Sequence, residues 1–556
     1  MKRLLFIAAC CCLVACHVSS RAFGQTDTAT IDEHSLQALQ EVVEGYAKKN
    51  YFVGAELLVI QGDQTLYHHS FGDLDRDNDR LWENNTICNI RSMTKPMTGV
   101  AAQILVDRGL LDIDKPVATY LESFDNDESR SITVRQVLTH RSGLPLTNLL
   151  KVDQYPTLAD QVAKAGETGP QFEPDSKFWY SDIGTDVVGR LVEKISGELL
   201  HEFVGREIIE PLGMTETFYG FDAEDERFSR IAPLYFGGAN GWLRFWSTDK
   251  GEAFYPCAWG SQTVYSTTTD YAKFMQMFAD GGKVDGRQII SPEAIDRILK
   301  PVSPMKMLGS DADYPAQFRD LKAYYGQMMI TYRPEGEEQG TPQVIGHSGS
   351  DGTAAWLWPD RDLIILFFTQ SRGGTTVIKM EGAIDQLIIH PEEAMAASEV
   401  PDEFRPYVGM YVANFATFEN EEFEVRVRDG QLILDIPSQL PFELLEPDDE
   451  GKWAFKIAPE QVKVTFDRDD AGNVIGLHLH QAGQSFEVPA KGTARAEELS
   501  IKREVTESEM QQLVGTYYDE DSEGDVEVLI EDGELAVSAP PGIVFHLRPG
   551  KEKGHW

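Results

Sequence analysis

Apolar and polar positions alternate in two short runs near the start of the chain, residues 55–60 and 65–71, and strand-like apolar runs return late, at 354–358 and 363–369. Alternation with period two marks strands, whereas the stretch between these runs mixes helical and strand signals over roughly 30–390. The pattern predicts one sheet whose strands come from both ends of this region, with helical material between them. Beyond a linker around 392–402 the character changes. Charged and apolar residues alternate in short runs broken by Arg428-Asp429-Gly430 and Asp470-Ala471-Gly472, as in antiparallel strands joined by turns. This all-β stretch repeats internally. Val408-Gly409-Met410-Tyr411 recurs as Val514-Gly515-Thr516-Tyr517, residues 423–432 recur as 526–535, and Gly451-Lys452-Trp453 matches Gly554-His555-Trp556. The first copy continues well past its Trp and the second stops part-way, so its open edge is expected to need a covering neighbour. The expected division is an address at 1–24, a main domain at 30–392, a β domain at 403–495 and a partial second β repeat at 505–556.

The address changes the cellular picture. Lys2 and Arg3 precede an apolar run to about Cys16, too short for a spanning helix and suited to a signal-peptide core. Two cleavage readings stand open. Leu13-Val14-Ala15-Cys16 resembles a bacterial lipobox that would leave a lipidated Cys16, and Ala22-Phe23-Gly24 before Gln25 suits a general signal peptidase. Both predict an exported protein, periplasmic or secreted, held to a membrane only through a lipid at Cys16. Cys88 and Cys257 are the cysteines outside this segment; they either pair or stay as buried free thiols. With 90 Asp plus Glu against 50 Lys plus Arg, the net charge of −40 repels phosphate backbones and excludes nucleic acid as a partner. At 556 residues and 42% hydrophobic, the chain is neither disordered nor a small disulfide scaffold.

Candidate chemistry begins at Ser92-Met93-Thr94-Lys95, where a hydroxyl and an amine one helical turn apart share a face. Ser-x-x-Lys also occurs at Ser247 to Lys250 and Ser303 to Lys306, but both of those read as loop. Ser92 instead opens a helix with an apolar face of Met97, Val100, Ala101, Ile104 and Leu105, ending at Gly109. A serine there also sets backbone amides beside a developing oxyanion. Tyr180-Ser181-Asp182 precedes a helix expected from Asp186 to Ile195, so its phenol and carboxylate could project from a loop. Gly346-His347-Ser348-Gly349 is expected at the start of a late strand, with Gly349 allowing close approach by a substrate. Singly, Tyr180 reads as a packed aromatic and His347 as a turn residue. The same Gly-x-Ser-Gly nearly makes a nucleophile elbow but fails at its fifth position, Ser350. His478 and His480 share a strand face, yet no third metal ligand is evident and a solvated face is the plainer reading.

Together these elements resemble the serine β-lactamase and penicillin-binding-protein superfamily, in particular the class C branch with its D,D-peptidase, D-aminopeptidase and esterase relatives. The resemblance extends to Gly109-Leu110-Leu111-Asp112, to Leu138-Thr139-His140-Arg141-Ser142-Gly143-Leu144-Pro145 and to Tyr265-Ser266-Thr267-Thr268, covering roughly 35–390. It implies an α+β fold: an α/β sandwich with an inserted all-α subdomain, followed by a lipocalin-like antiparallel β-barrel. It implies Ser92 as acylated nucleophile, Lys95 as base or proton relay, Tyr180 as proton shuttle and His347 as third-motif residue. The amides of Ser92 and Ser350 would form the oxyanion hole, with Ser348 and Gly349 beside the substrate. No cofactor or metal is implied; the partner is a small-molecule or peptide substrate. Asp182 departs from the family's Asn, and a carboxylate beside Lys95 favours the ammonium over the free base. The third motif carries Lys or His in these relatives, and a neutral His347, where Lys would supply a permanent charge, argues against a dedicated β-lactamase and for esters or D-residue peptides. The alternative is a catalytically impaired binding protein on the same scaffold.

Overall fold

The structure is a computed structural model. It describes residues 31–549 apart from 147–154, 240, 308–310, 338, 374, 392–399, 416–417, 429, 438, 440, 482, 502–504, 520–523, 532, 540–542 and 548. The signal segment with Cys10, Cys11, Cys12 and Cys16, most of the 392–402 linker, the turn residue Asp429 and the terminal Gly554-His555-Trp556 lie outside the described residues.

Strands from both ends of the main domain do share one sheet. Gly54–Gln61 pairs antiparallel with Leu363–Thr369 on one side and with Gln64–Asp75 on the other. Six further strands extend it to nine, running outward from Leu363–Thr369 through Ala354–Trp358, Val344–Ser348, Ile330–Pro334 and Leu321–Tyr325 to Ser303–Pro304, with Arg80–Leu81 at the opposite edge. The unbroken apolar run of Leu363–Thr369 has a direct cause: both faces of this strand are buried. Leu363, Ile365 and Phe367 join one core, shared with Leu39 and Val43 of the helix Glu33–Lys48. Ile364, Leu366 and Phe368 join the other, shared with Tyr271, Phe274 and Phe278 of the helix Thr268–Ala279. Into that second core fold the helices Thr94–Asp107, Leu158–Thr168 and Asp182–Ser196, through Val100, Ile104, Val162, Val187 and Leu191.

Three sequence expectations shift locally. Thr94–Asp107 has no polar face at all: Lys95, Thr98 and Gln103 are as buried as its apolar positions. The helix expected from Asp186 begins at Asp182, because the Ser181 hydroxyl caps it by accepting from the Gly184 N–H at 2.8 Å. Ser303 is no loop residue; it pairs with Tyr325 at the edge of the main sheet. Cys88 is buried, Cys257 is partly buried, and both are free thiols.

After residue 400 come two four-stranded antiparallel sheets, Gly409–Ala413 through Pro441–Glu443 and Trp453–Ala454 through Gln484–Pro489. Single bridges join their edges, Tyr411 to Ala490 and Leu444 to Phe455, and Phe423, Val425, Leu434, Val464, Leu477 and Val488 fill the space between. Among the described residues continuous ladders do not run round this unit, so the expected barrel is observed as two bridged sheets. The repeat is visible in the third such sheet, from Gly515–Asp519 to Ile543–His546. Tyr411 donates to Tyr407 O at 2.7 Å, and Tyr517 donates to Leu513 O at 2.9 Å, the same bond four residues back. Lys379 of the main domain meets Asp435 of the β region at 2.5 Å, and Arg428 donates to Gln317.

Candidate active site

Ser92 sits in a tight turn, Arg91–Met93, that runs straight into the helix Thr94–Asp107. One turn on, Lys95 is fully buried, and its three N–H donors have three acceptors: Ser92 Oγ at 2.9 Å, Asp182 Oδ1 at 2.6 Å and Ser261 O at 3.1 Å. An amine with three acceptors is a committed ammonium. Burial works against that charge, but Asp182, with Tyr180, outweighs it and holds the lysine above its ordinary value. The ammonium also lies 4.8 Å from the Tyr180 ring centroid. Tyr180 itself is held as a neutral phenol: burial raises it, while Lys95 and a hydrogen bond with Ser92 pull the other way. Behind Lys95, Asp186 accepts from Ser261 N at 3.0 Å and from Gln161 Nε2 at 2.5 Å; burial, then Asp182, pushes its carboxyl up to about 8.

His347 lies near the end of its strand, Val344–Ser348, and not at the start. Both ring nitrogens are taken. Ser348 O at 2.8 Å can only accept, so Nδ1 carries the proton and Nε2, 3.1 Å from the Tyr325 hydroxyl, accepts. The same hydroxyl is 3.1 Å from His140 Nε2, and His140 Nδ1 accepts the Ser181 N–H at 3.3 Å. A directional chain therefore runs from the Ser181 amide through His140 and Tyr325 to His347. Burial, then Lys95, pushes His347 down to about 3, and His140 well below its ordinary value. Neither imidazole is a cation at working pH.

Gly349 is required by the chain itself. A Cβ there would lie 2.5 Å from Ile90 O and 3.2 Å from Arg91 Cβ, besides striking the Thr353 hydroxyl. The close approach here is by the turn that carries Ser92. Beyond it the amides of Ser92 and Ser350 have no hydrogen-bond partner among the described residues, and Ser350 is exposed.

The structure thus gathers Ser92, Lys95, Tyr180 and Asp182, with His347 reached through the Tyr180 ring, 6.4 Å centroid to centroid. Ser348 and Gly349 line the strand end and Ser350 follows. Sequence reasoning passed over Tyr325, Ser261 and Asp186, and gave His140 no role although it stands inside a quoted motif. Only the left-handed backbone of His140, φ 54°, marks it as unusual, and no spacing rule reveals that. The pair His478 and His480 is engaged elsewhere: His478 faces Asp467 at 3.0 Å, and His480 faces Thr465 at 2.9 Å.

A mixed α/β sandwich with Ser-x-x-Lys on a turn at the seam of sheet and helices is the arrangement of serine hydrolases of the β-lactamase fold. The chain belongs to the Beta-lactamase family, whose model matches residues 39–387. Penicillin-binding protein 4* of Bacillus subtilis (strain 168) is 24% identical over 492 residues, spanning 82% of this chain and 98% of that protein. Esterase EstB of Burkholderia gladioli is 31% identical over 221 residues, 36% of this chain and 55% of the esterase. Among solved structures, the octameric penicillin-binding protein homologue from Pyrococcus abyssi superposes with a TM-score of 0.52 at 18% identity, covering 91% of this chain and 99% of that one.

Proposed function

We propose that this protein is an exported serine hydrolase that acts through a Ser92 acyl-enzyme, on esters or on peptides bearing a D-residue, and is not a dedicated β-lactamase. One observation carries the reading: the Ser92 hydroxyl receives a hydrogen bond from a buried ammonium while a neutral phenol stands beside both. Because Lys95 is committed as a donor, it serves as a fixed positive charge. The proton moves through Tyr180 instead. As Ser92 Oγ attacks the acyl carbon, its proton passes to the Tyr180 oxygen while the Tyr180 proton passes to the leaving group, so the phenol ends neutral. The carbonyl π electrons move onto oxygen, facing the free amides of Ser92 and Ser350, and return as the bond to the leaving group breaks, which leaves the Ser92 ester. Water then attacks the ester, giving one proton to Tyr180 while Tyr180 returns one to Ser92, and the acid leaves.

The neutral His347 supports esters and D-residue peptides, since it offers no charge to the carboxylate that β-lactams carry. A relative named as an esterase and one named as a penicillin-binding protein point the same way. Export is supported by the charged start and apolar run of residues 2–16. No helix of the described residues is long and apolar enough to cross a membrane, so attachment would rest on a lipid at Cys16. A lipocalin-like fold for the β region is supported by two four-stranded sheets that single bridges join at both edges.

The test is intact-mass spectrometry after exposure to a fluorophosphonate or β-lactone probe, with Ser92→Ala alongside. One adduct on the wild type that vanishes in the variant is the expected result; substrate screening with esters and D-amino-acid amides follows. The second reading, a binding protein with impaired catalysis, draws on the Lys95–Asp182 ion pair at 2.6 Å, which withholds a free amine from Ser92. No adduct between pH 5 and 10 would favour it.

A further inference from the structure

A second buried ion pair stands on the other side of Ser92. Arg91, immediately before the serine, is wholly buried in a left-handed conformation, φ 47°. For a residue with a Cβ that backbone is strained and persists only where the surroundings over-determine it. They do so here. The Arg91 backbone N–H donates to Asn89 Oδ1 at 2.7 Å, Nε donates to Asp351 Oδ2 at 2.5 Å, and Nη1 donates to the Tyr255 hydroxyl. The guanidinium also lies 5.1 Å from the Phe254 ring. Asp351 is equally buried and immediately follows Ser350. Its other oxygen receives Arg372 Nη1 at 3.3 Å, and the same nitrogen donates to Ser350 Oγ at 3.1 Å.

We propose that the Arg91–Asp351 pair is a clamp that sets the spacing between the two oxyanion amides, those of Ser92 and Ser350, so that Arg91 and Asp351 are positioning residues for acylation. The inference rests on the acyl-enzyme reading above. The two amides belong to segments 260 residues apart in sequence, and each is the direct chain neighbour of one member of the pair. Gly349 closes the same seam by lying on the Ile90 carbonyl. A buried ion pair is a poor source of stability, because desolvation offsets most of the attraction and apolar residues of similar volume often serve as well. A planar guanidinium forked between a carboxylate and a phenol does fix direction, which an apolar contact does not. An oxyanion donor displaced by a fraction of an ångström loses transition-state stabilisation while substrate binding is little changed.

The experiment compares the full chain with Arg91→Lys, Asp351→Asn and the double variant Arg91→Met/Asp351→Leu, which removes both buried charges and leaves Arg372, partly exposed, its bond to Ser350 Oγ. Readouts are kcat and KM on a p-nitrophenyl ester, inhibition by an aryl boronic acid, whose serine adduct carries a tetrahedral anion, and the thermal midpoint. Expected for every variant that folds is a fall in kcat of about 10²-fold, KM within about threefold, and boronate affinity falling in parallel with kcat. The double variant should melt close to the wild type and still be slow, which a merely structural pair would not produce. If the single variants fail to fold, the double variant decides alone. A double variant with wild-type kcat and boronate affinity overturns the clamp. A wild type that neither turns over nor forms a Ser92 adduct removes the acyl-enzyme reading itself, and the clamp with it.

Discussion

Two buried cation–carboxylate pairs bracket Ser92, and they differ in what they hold. Lys95–Asp182 touches the hydroxyl itself, with the ammonium 2.9 Å from Ser92 Oγ. Arg91–Asp351 never reaches the hydroxyl and grips the backbone on either side of the seam. Lysine is a compact charge whose proton can leave, whereas arginine keeps its charge at any working pH and bonds in a fixed plane. The titratable cation stands where protons move, and the permanent one stands where only geometry is needed. What the contrast teaches is that a buried ion pair is read by the atom it constrains, not by its energy.

The sharpest way to break the comparison is Lys95→Met, which removes the charge beside Ser92 and leaves Asp182 without its cation. Acylation by a fluorophosphonate should slow by about 10³–10⁴-fold, well beyond the loss expected from any change at Arg91. Tyr180→Phe comes next. It keeps the ring and deletes the proton path, so turnover of an alkyl ester should fall by about 10²–10³-fold, with less loss for an activated ester, whose leaving group needs no proton. Asp182→Asn should move the other way. With its counter-charge gone, burial acts on Lys95 against Tyr180 only and lowers its pKa, so a free amine becomes available to take the Ser92 proton. Turnover near pH 8 should rise about tenfold and gain a new acid limb in the pH profile; a large loss would show that the carboxylate has a positive role. The wild type should show no such limb. Its lysine is held above the ordinary 10.5, so the pair's stabilisation is complete below that value and is lost only as pH rises through the folded pKa. Smallest is Ser181→Ala, which removes the cap under Asp182. Urea unfolding should register about 1 kcal/mol, with kcat changed by no more than a few-fold.

Much of this was open to reading in the sequence, and the boundary has a physical cause. Leu363–Thr369 announces itself because burial on both faces leaves a continuous apolar run. Ser92 and Lys95 are legible because one helical turn fixes their relation. The start of the helix at Asp182 was missed because the expected apolar rhythm begins later than the Ser181 cap. His140, Tyr325 and His347 form a chain through contacts 185 and 22 residues apart, and Arg91 finds Asp351 across 260. Partners at such separations are chosen by the tertiary fold, and local pattern carries no trace of them. Gly349 was rightly singled out for close approach, but the approaching backbone turned out to be the protein's own.

The order of strands in the main sheet has a consequence during synthesis. Gly54–Gln61 finds its inner partner in Leu363–Thr369, with Ala55 opposite Thr369, so the hairpin it forms with Gln64–Asp75 must wait for roughly 300 more residues. At about 5–20 residues per second that is a delay of about 15–60 s with one apolar edge unpaired. Pairing across such a separation is slow to nucleate and open to association with other chains in the interval. The first strands to be made are therefore among the last to be sheltered.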